Sequence, residues 1–381
     1  MIRNLVGSLV FWGLIAILKG YVYWQSYRLF DRSGLKGLVI GVGVFSVLST
    51  AVGLYGLATR FSIGGGPNPL WVNYSLGFML SFLVLELILG VFFIADDLLG
   101  GMGRLYQRAM GESAGAGGRR QWLKRVGWLV GALPFTTFLH GVTWGKYNFT
   151  VRRETIYFPD LPEALDGFVV AQISDVHAGS FDHPDSVREG LTLLQAQNAD
   201  VLVFTGDLVN GYASEIVPYL NDFKQLSAPF GKYAILGNHD YPIYRRLFDS
   251  ESHGQRNFEQ IQAHHQTMDF QLLKNEHTKL EKEGAYLRLV GVENWGRSHH
   301  FPKKGDLDKA FEGCDPDEFT ILLSHDPSHW KDKVLDHPRQ VHLTLSGHTH
   351  GMQLGVDLPW FKWSPVKYVY EHWAGLYQEA K

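Results

Sequence analysis

The sequence predicts a helical membrane domain followed by an α/β domain. Four apolar runs of about twenty residues crowd the first 148 positions. The charge balance changes sign between the halves. In the second half, short apolar strands end repeatedly in a carboxylate, an amide or an imidazole. With 381 residues the chain has room for two domains of the usual size, and we place them at 1–148 and 149–381. Up to Tyr147 there are 13 Lys/Arg against 5 Asp/Glu, leaving 22 against 33 from Asn148 onward, so the overall −3 joins a basic half to an acidic one. An acidic soluble half grips polyanions poorly, so no nucleic-acid partner is expected. The single cysteine, Cys314, excludes an intrachain disulfide and a thiolate metal cluster.

The apolar runs lie at Leu5–Trp24, Leu38–Ala58, Tyr74–Ala95 and Val126–Trp144. Each has the length to cross a hydrocarbon core as a helix. Trp24, Trp71, Tyr74, Trp122 and Trp144 flank them, as aromatic residues do at headgroup level. No small-residue cleavage site follows the first run, so it reads as a span and not a removable signal. Arg28, Arg32 and Lys36 follow the first span; Arg104, Arg108, Arg119, Arg120, Lys124 and Arg125 follow the third. Arg3, Arg60, Lys146, Arg152 and Arg153 fall on the opposite side. Nine basic residues against five place the first and third loops in the cytoplasm and the second domain outside it, anchored in the cell (inner) membrane. Glu86 stands mid-span, where a carboxylate is costly; it reads as a protonated or hydrogen-bonded packing residue, or part of a lipid or substrate path. Pro134 should kink the fourth span.

From Phe149 onward the pattern alternates. Strands are expected at Phe168–Ser174, Val201–Thr205, Tyr233–Leu236, Leu287–Val292, Phe319–Ser324 and Val341–Ser346, and helices at Pro184–Gln197, Ser214–Leu226 and Asn257–Met268. Alternation of this kind gives an α/β domain whose strand-end loops carry function. The first strand runs into Asp175-Val176-His177, the second into Gly206-Asp207-Leu208-Val209-Asn210, and the third into Gly237-Asn238-His239-Asp240. Two later strands run into His325 and into Gly347-His348-Thr349-His350-Gly351. Any one fragment alone is a common turn. Five in order, each closing a strand, form a set of oxygen and imidazole donors suited to Mn, Fe or Zn. His183, His264, His265, His299, His300 and His329 read as surface residues, and Arg245-Arg246 as a solvated pair.

This ordered set resembles the signature of the calcineurin-like metallophosphoesterases, over 149–381. The resemblance implies a four-layer α-β-β-α sandwich and two divalent ions at one edge. One ion would be held by Asp175, His177, Asp207 and His350; the other by Asp207, Asn238, His325 and His348, so that Asp207 bridges them. His239 resembles the family's substrate-facing histidine, the acid for the leaving group or a stabiliser of phosphoryl charge. Asp240 would either orient His239 or cap its turn. Two ions about 3.5–4 Å apart can bind phosphate oxygens and activate water near neutral pH. The expected activity is hydrolysis of a phosphate ester or pyrophosphate, lipid-linked or membrane-proximal given the tether, with membrane lipids as partners. An alternative resembles the lipid A hydrolase that cleaves a UDP-linked diacylglucosamine, a cytoplasmic-face reaction. A non-catalytic metal or phospholipid sensor, or a small transporter or channel regulator, has less behind it. The family resemblance also leads one to expect strands beyond Gly375-Leu376-Tyr377, which would leave the domain incomplete at its C-terminus.

Overall fold

A computed structural model of the chain describes residues 2–379, apart from residues 32, 63–65, 68, 112–117, 243–247, 352–353 and 359. It divides into two compact units, one built mainly from residues 1–62 and 68–148 and the other mainly from 149–381.

The first unit is a bundle of α1 (Ile2–Leu29), α2 (Lys36–Ser62), α3 (Leu70–Met110) and α4 (Gly118–Thr143). Phe82, Leu85, Leu89 and Phe93 recur on one stripe of α3 and bury against Val22 of α1, with Val42, Trp128 and Phe135 around them. Among the described residues, three segments are long and apolar enough to cross a membrane by length and composition: Lys36–Ala58, Leu70–Met110 and Trp122–Thr143. The first expected span, α1, is not among these three. α1 carries Lys19 within its apolar run and Gln25 and Ser26 just after it, all three buried in the bundle.

Those polar residues explain Glu86. Its side chain is fully buried, accepts from Lys19 Nζ at 2.7 and 2.8 Å, from Tyr23 Oη at 3.0 Å, and also from Ser46 Oγ. It is an ion-paired residue tying α1, α2 and α3 together. A second polar group follows, where Asp97 accepts from Tyr21 Oη at 2.8 Å and Gln25 Nε2 at 2.6 Å. Lys124 lies 3.3 Å from both Asp96 and Asp97. Arg104 and Arg108, expected in a loop, continue the helix of α3, and Pro134 lies within α4.

Among the described residues the second unit carries two four-stranded sheets and a two-stranded one. β1 (Val170–Ile173), β2 (Val201–Phe204), β3 (Lys232–Ala234) and β4 (Gln271–Leu272) form a parallel sheet in that order. Between them run α5 (Pro184–Gln195), α6 (Leu220–Lys224) and α7 (Glu251–Thr267). The helix expected over Ser214–Leu226 is mostly single turns, because Pro218 breaks it before α6. β5 (Glu276–Lys282) pairs antiparallel with β6 (Ala285–Gly291); β7 (Thr320–Leu323) and β8 (Leu343–Leu345) continue the second sheet in parallel.

The four-stranded sheets face each other. Val201, Val203 and Ile235 of the first pack on Leu280, Leu287, Leu289, Ile321 and Leu323 of the second, all buried. The outer face of the second sheet is covered through Val290 and Leu322 by α8 (Leu307–Ala310) and its neighbours Phe311, Cys314 and Val334. The outer face of the first is covered by α7, whose His265 ring lies 5.5 Å from that of Phe204. Strands β1, β2, β3, β7 and β8 therefore deliver their C-terminal loops to one edge. A small hairpin, β9 (Val356–Leu358) with β10 (Phe361–Trp363), lies beyond β8.

Candidate metal centre

Each motif residue follows the last residue of its strand within a few positions. Asp175 and His177 follow β1, Asp207 follows β2, Asn238 follows β3, His325 follows β7, and His348 and His350 follow β8. To turn their side chains toward one point the backbone takes the left-handed region at Asp175, His177, Asp207, His348 and His350, with φ from 45° to 69°. Five non-glycine residues in that region is concentrated strain of the kind functional sites hold. Gly206 and Gly237 permit the approach of two loops: a Cβ on Gly206 would lie 2.5 Å from Gly237 N, and one on Gly237 would lie 2.2 Å from Asp207 Oδ1. Main-chain bonds stitch these loops together, from Asp175 N to the Gly206 carbonyl (2.9 Å) and from Gly347 N to the His325 carbonyl (2.9 Å).

Two groups of donor atoms converge, Asp175/His177/Asp207/His350 and Asp207/His325/His348, each within 4.8 Å; Asp207 belongs to both. His177 Nε2 and His350 Nε2 stand 3.1 Å apart, and His177 Nε2 is 3.5 Å from Asp207 Oδ2. On the other side of Asp207, His325 Nε2 approaches Oδ2 to 3.2 Å. His325 Nδ1 donates to the Thr205 carbonyl at 2.7 Å, which turns the Nε2 lone pair toward that carboxylate. A lone pair and an anion facing each other at that distance call for positive charge between them.

The orphaned atoms agree. Among the described residues, Asp207 Oδ2, Asn238 Oδ1 and His325 Nε2 are buried without a hydrogen-bond partner. Buried polar atoms are almost always satisfied, and three orphaned atoms of ligand type at one edge fit a cation. Burial would raise the Asp207 carboxyl, yet His325 and His177 hold it well below the ordinary carboxylate range. Burial alone would lower His325, but the Asp207 charge outweighs it and pushes the imidazole up to about 10. His177 and His348 are pushed down to about 4, chiefly by burial, and are neutral imidazoles at physiological pH. A bound cation would thus meet an ionised Asp207 with neutral His177 and His348, and would have to displace the proton that His325 keeps beside Asp207.

His239 is half-buried beside this group, its ring 4.8 Å from that of His177. Its Nδ1 faces the Asn210 carbonyl at 3.0 Å and its main-chain N–H donates to Asp207 Oδ1 at 2.8 Å. The group that orients the ring is therefore Asn210. Asp240 is fully buried and accepts three main-chain N–H groups at 2.9 Å, from Asp207 and Gly237 on Oδ2 and from Leu208 on Oδ1. Burial and then the Asp207 charge push its carboxyl up to about 7 against those donors.

Sequence reasoning missed several supports. Tyr370 Oη lies 2.7 Å from His348 Nε2, and Asp326 Oδ2 lies 3.6 Å from the same nitrogen. Glu215, buried and raised to about 7 by burial, accepts the Asn210 N–H at 2.5 Å and so shapes the loop that holds His239. Asp326 could have been found beside its motif neighbour; nothing local marks Tyr370 or Glu215. Two histidines expected on the surface are buried instead. His329 hydrogen-bonds Ser324 Oγ at 2.8 Å, and His265 lies in the core. Arg245 and Arg246 lie outside the described residues.

Comparison with known proteins bears on this arrangement. Residues 168–352 match the calcineurin-like phosphoesterase family, and residues 3–146 match a probable calcineurin-like phosphoesterase transmembrane domain. The UDP-2,3-diacylglucosamine pyrophosphatase LpxG of Chlamydia muridarum is 30% identical over 241 residues, covering 52% of this chain and 68% of that protein. The chain belongs to the calcineurin-like phosphoesterase family. A transmembrane protein with metallophosphoesterase domain from Danio rerio is 29% identical over 298 residues, 75% of this chain and 62% of the relative. The metallophosphoesterase YkuE of Bacillus subtilis is 27% identical over 256 residues, 64% of this chain and 79% of YkuE. The chain spans 62% of that Danio rerio protein and 48% of a Bos taurus protein of the same description. As a calcineurin-like phosphoesterase with a transmembrane domain, it joins a metal-site fold to a membrane anchor.

Proposed function

We propose that this protein is a membrane-anchored phosphoesterase that uses two divalent ions to hydrolyse a phosphate ester or pyrophosphate of a lipid-linked substrate. The observation that carries the reading is Asp207, a fully buried carboxylate whose orphaned Oδ2 faces imidazole nitrogens on two sides. One ion would be held by Asp175, His177, Asp207 and His350, the other by Asp207, Asn238, His325 and His348. Manganese, iron and zinc all suit this donor set. When bound, the ions supply Lewis-acid charge for the phosphoryl oxygens and an activated water for attack on phosphorus.

The chain's own residues do the rest. Asn238 adds a neutral ligand, which leaves the site positive enough to draw in an anion. His239, its Nδ1 proton engaged by the Asn210 carbonyl, would present Nε2 to the substrate and give up a proton there to the leaving oxygen when the ring is in its imidazolium form. Asp240 positions Asp207 through its main-chain N–H.

All four helices of the first unit would cross the bilayer, α1 being paired inward through Lys19. The short-loop basic residues then leave the second domain outside the cytoplasm. A second reading, a cytoplasmic-face pyrophosphatase of a UDP-linked diacylglucosamine, is favoured by the likeness to LpxG; a reporter fused after Lys381 separates the two.

The test is the full chain in nanodiscs, loaded with each metal and assayed on monoesters, diesters, pyrophosphates and phospholipids. His239→Ala should keep its metal and lose about 10²–10⁴-fold in turnover, with a smaller loss on nitrophenyl esters, whose leaving group needs no proton. A metal-loaded, folded wild-type chain that turns over none of the panel would refute the reading.

A further inference from the structure

The hairpin beyond β8 presents an apolar face to its surroundings. Pairing of Phe361 with Leu358 and of Trp363 with Val356 puts these four side chains on one side, and Asp357 with Lys362 on the other. The polar side is engaged: Arg152 meets Asp357 at 2.8 Å, and Lys362 Nζ lies 5.7 Å from the Trp373 ring centre. On the apolar side Val356, Leu358 and Phe361 are exposed, and Trp363 Nε1 reaches Tyr368 Oη at 3.3 Å. Trp360 is 80% exposed, Tyr368 74% and Val369 71%. A lone two-stranded hairpin is marginal in water, and a patch of this kind marks a docking site.

We propose that this hairpin is a lipid-docking edge that lies in the headgroup layer and passes a membrane lipid's phosphate to the metal centre. The delivery half of the proposal rests on the phosphoesterase reading; the docking half does not. Three observations favour a bilayer over another occupant. The residues are Trp, Tyr and Phe flanked by Lys362 and Lys367, the composition that settles at anionic interfaces, in a domain otherwise acidic. The same chain carries membrane-crossing helices, so a bilayer is always within reach. Strands of three residues are too short to supply the ~1,000 Å² that a stable contact with a second copy needs.

The patch is continuous with the metal centre. Val369 and Tyr370 wall a cavity of about 290 Å³ together with Arg297, His299 and Lys331. Tyr370 also touches His348, so one residue borders both the cavity and a candidate ligand. Arg297 and Lys331 hold acidic partners, Asp332 and Glu371, which a headgroup phosphate could displace.

The test uses the full chain with Cys314→Ser, in nanodiscs of anionic lipid containing a spin-labelled lipid quencher. A fluorophore on Trp360→Cys, and separately on Tyr368→Cys, should be quenched strongly; one on Glu283→Cys, in the exposed β5–β6 turn, should not. Equal quenching at all three sites, or none at residues 360 and 368, overturns the docking edge. Crosslinking of two chains through residue 360 without quenching reassigns the face to a second copy. In a second arm, Trp360→Ser with Phe361→Ser should lower turnover of a bilayer-embedded phosphodiester about tenfold or more while a water-soluble nitrophenyl ester changes less than about twofold. Equal loss on both substrates overturns delivery. A wild-type chain inactive on both sinks the phosphoesterase reading and leaves the quenching result to decide docking alone.

Discussion

Replacing Asp240 by Asn discriminates two roles for a carboxylate that sits one residue from the candidate acid. The side chain accepts three main-chain N–H groups at 2.9 Å, two on Oδ2 and one on Oδ1. The best placement of the amide keeps its oxygen at the Oδ2 position and sets its NH₂ against Leu208 N, donor facing donor. One hydrogen bond to a charged acceptor is lost and one buried N–H is left unsatisfied, about 2–4 kcal/mol in all. Asp207 N and Leu208 N belong to the loop that aims the shared carboxylate, so the damage should appear as a metal defect. We expect metal affinity to fall about 10- to 100-fold, the usual effect of losing a group that positions a ligand, with turnover nearly restored at saturating metal. The assay is a metal titration of activity beside metal content, with Cys314 labelling to confirm the fold, since that thiol is buried. A variant with wild-type metal affinity and a changed pH–rate profile would refute this reasoning and return Asp240 to the proton-transfer machinery.

Other outcomes follow from the same structure. Asp207→Ala should fold yet hold fewer than one ion per chain after dialysis; a folded variant retaining two would remove its bridging role. His265 is buried with neither ring nitrogen partnered among the described residues, and burial pushes it down to about 3. Its folded form is neutral, so the stability it permits is complete above about pH 6.5 and falls as the pH drops toward 3. His265→Leu should stabilise the second unit by about 1–3 kcal/mol at neutral pH and by a further ~2 kcal/mol at pH 5, read as a shift in the Cys314 labelling midpoint; equal acid sensitivity in both proteins would count against it. Lys19→Met should destabilise the detergent-solubilised bundle by about 3–5 kcal/mol, and adding Glu86→Gln should restore most of that. Additive losses would show that the pair is not coupled.

The metal edge was legible because its chemistry is local. Asp175, Asp207, Asn238, His325 and His348 each follow an apolar run within a few positions, and parallel strands bring such ends together whatever lies between. Lys19 and Glu86 are 67 positions apart on different helices, and nothing in either neighbourhood names the other. His265 was misplaced because an imidazole on an amphipathic helix reads as polar, while its position on α7 turns it toward Phe204. β5 was missed because Glu276–Lys282 is charged along most of its length, as suits an edge strand with one wet face. The role of Asn210 as the partner of His239 comes from its carbonyl, a group every residue has and no motif distinguishes.

The inward-facing Lys19 also bears on how the protein is made. α1 emerges from the ribosome first, carrying an ammonium that costs about 2.5–3.5 kcal/mol when placed alone at the centre of a lipid-exposed helix. Its counter-charge, Glu86, is not synthesised until well into α3, and Ser46 arrives between them on α2. Released alone into lipid, the first helix would carry that ammonium unpaired. Pairing with Glu86 removes that cost only once the third helix is in place, which couples α1 and α3 in membrane insertion as well as in packing.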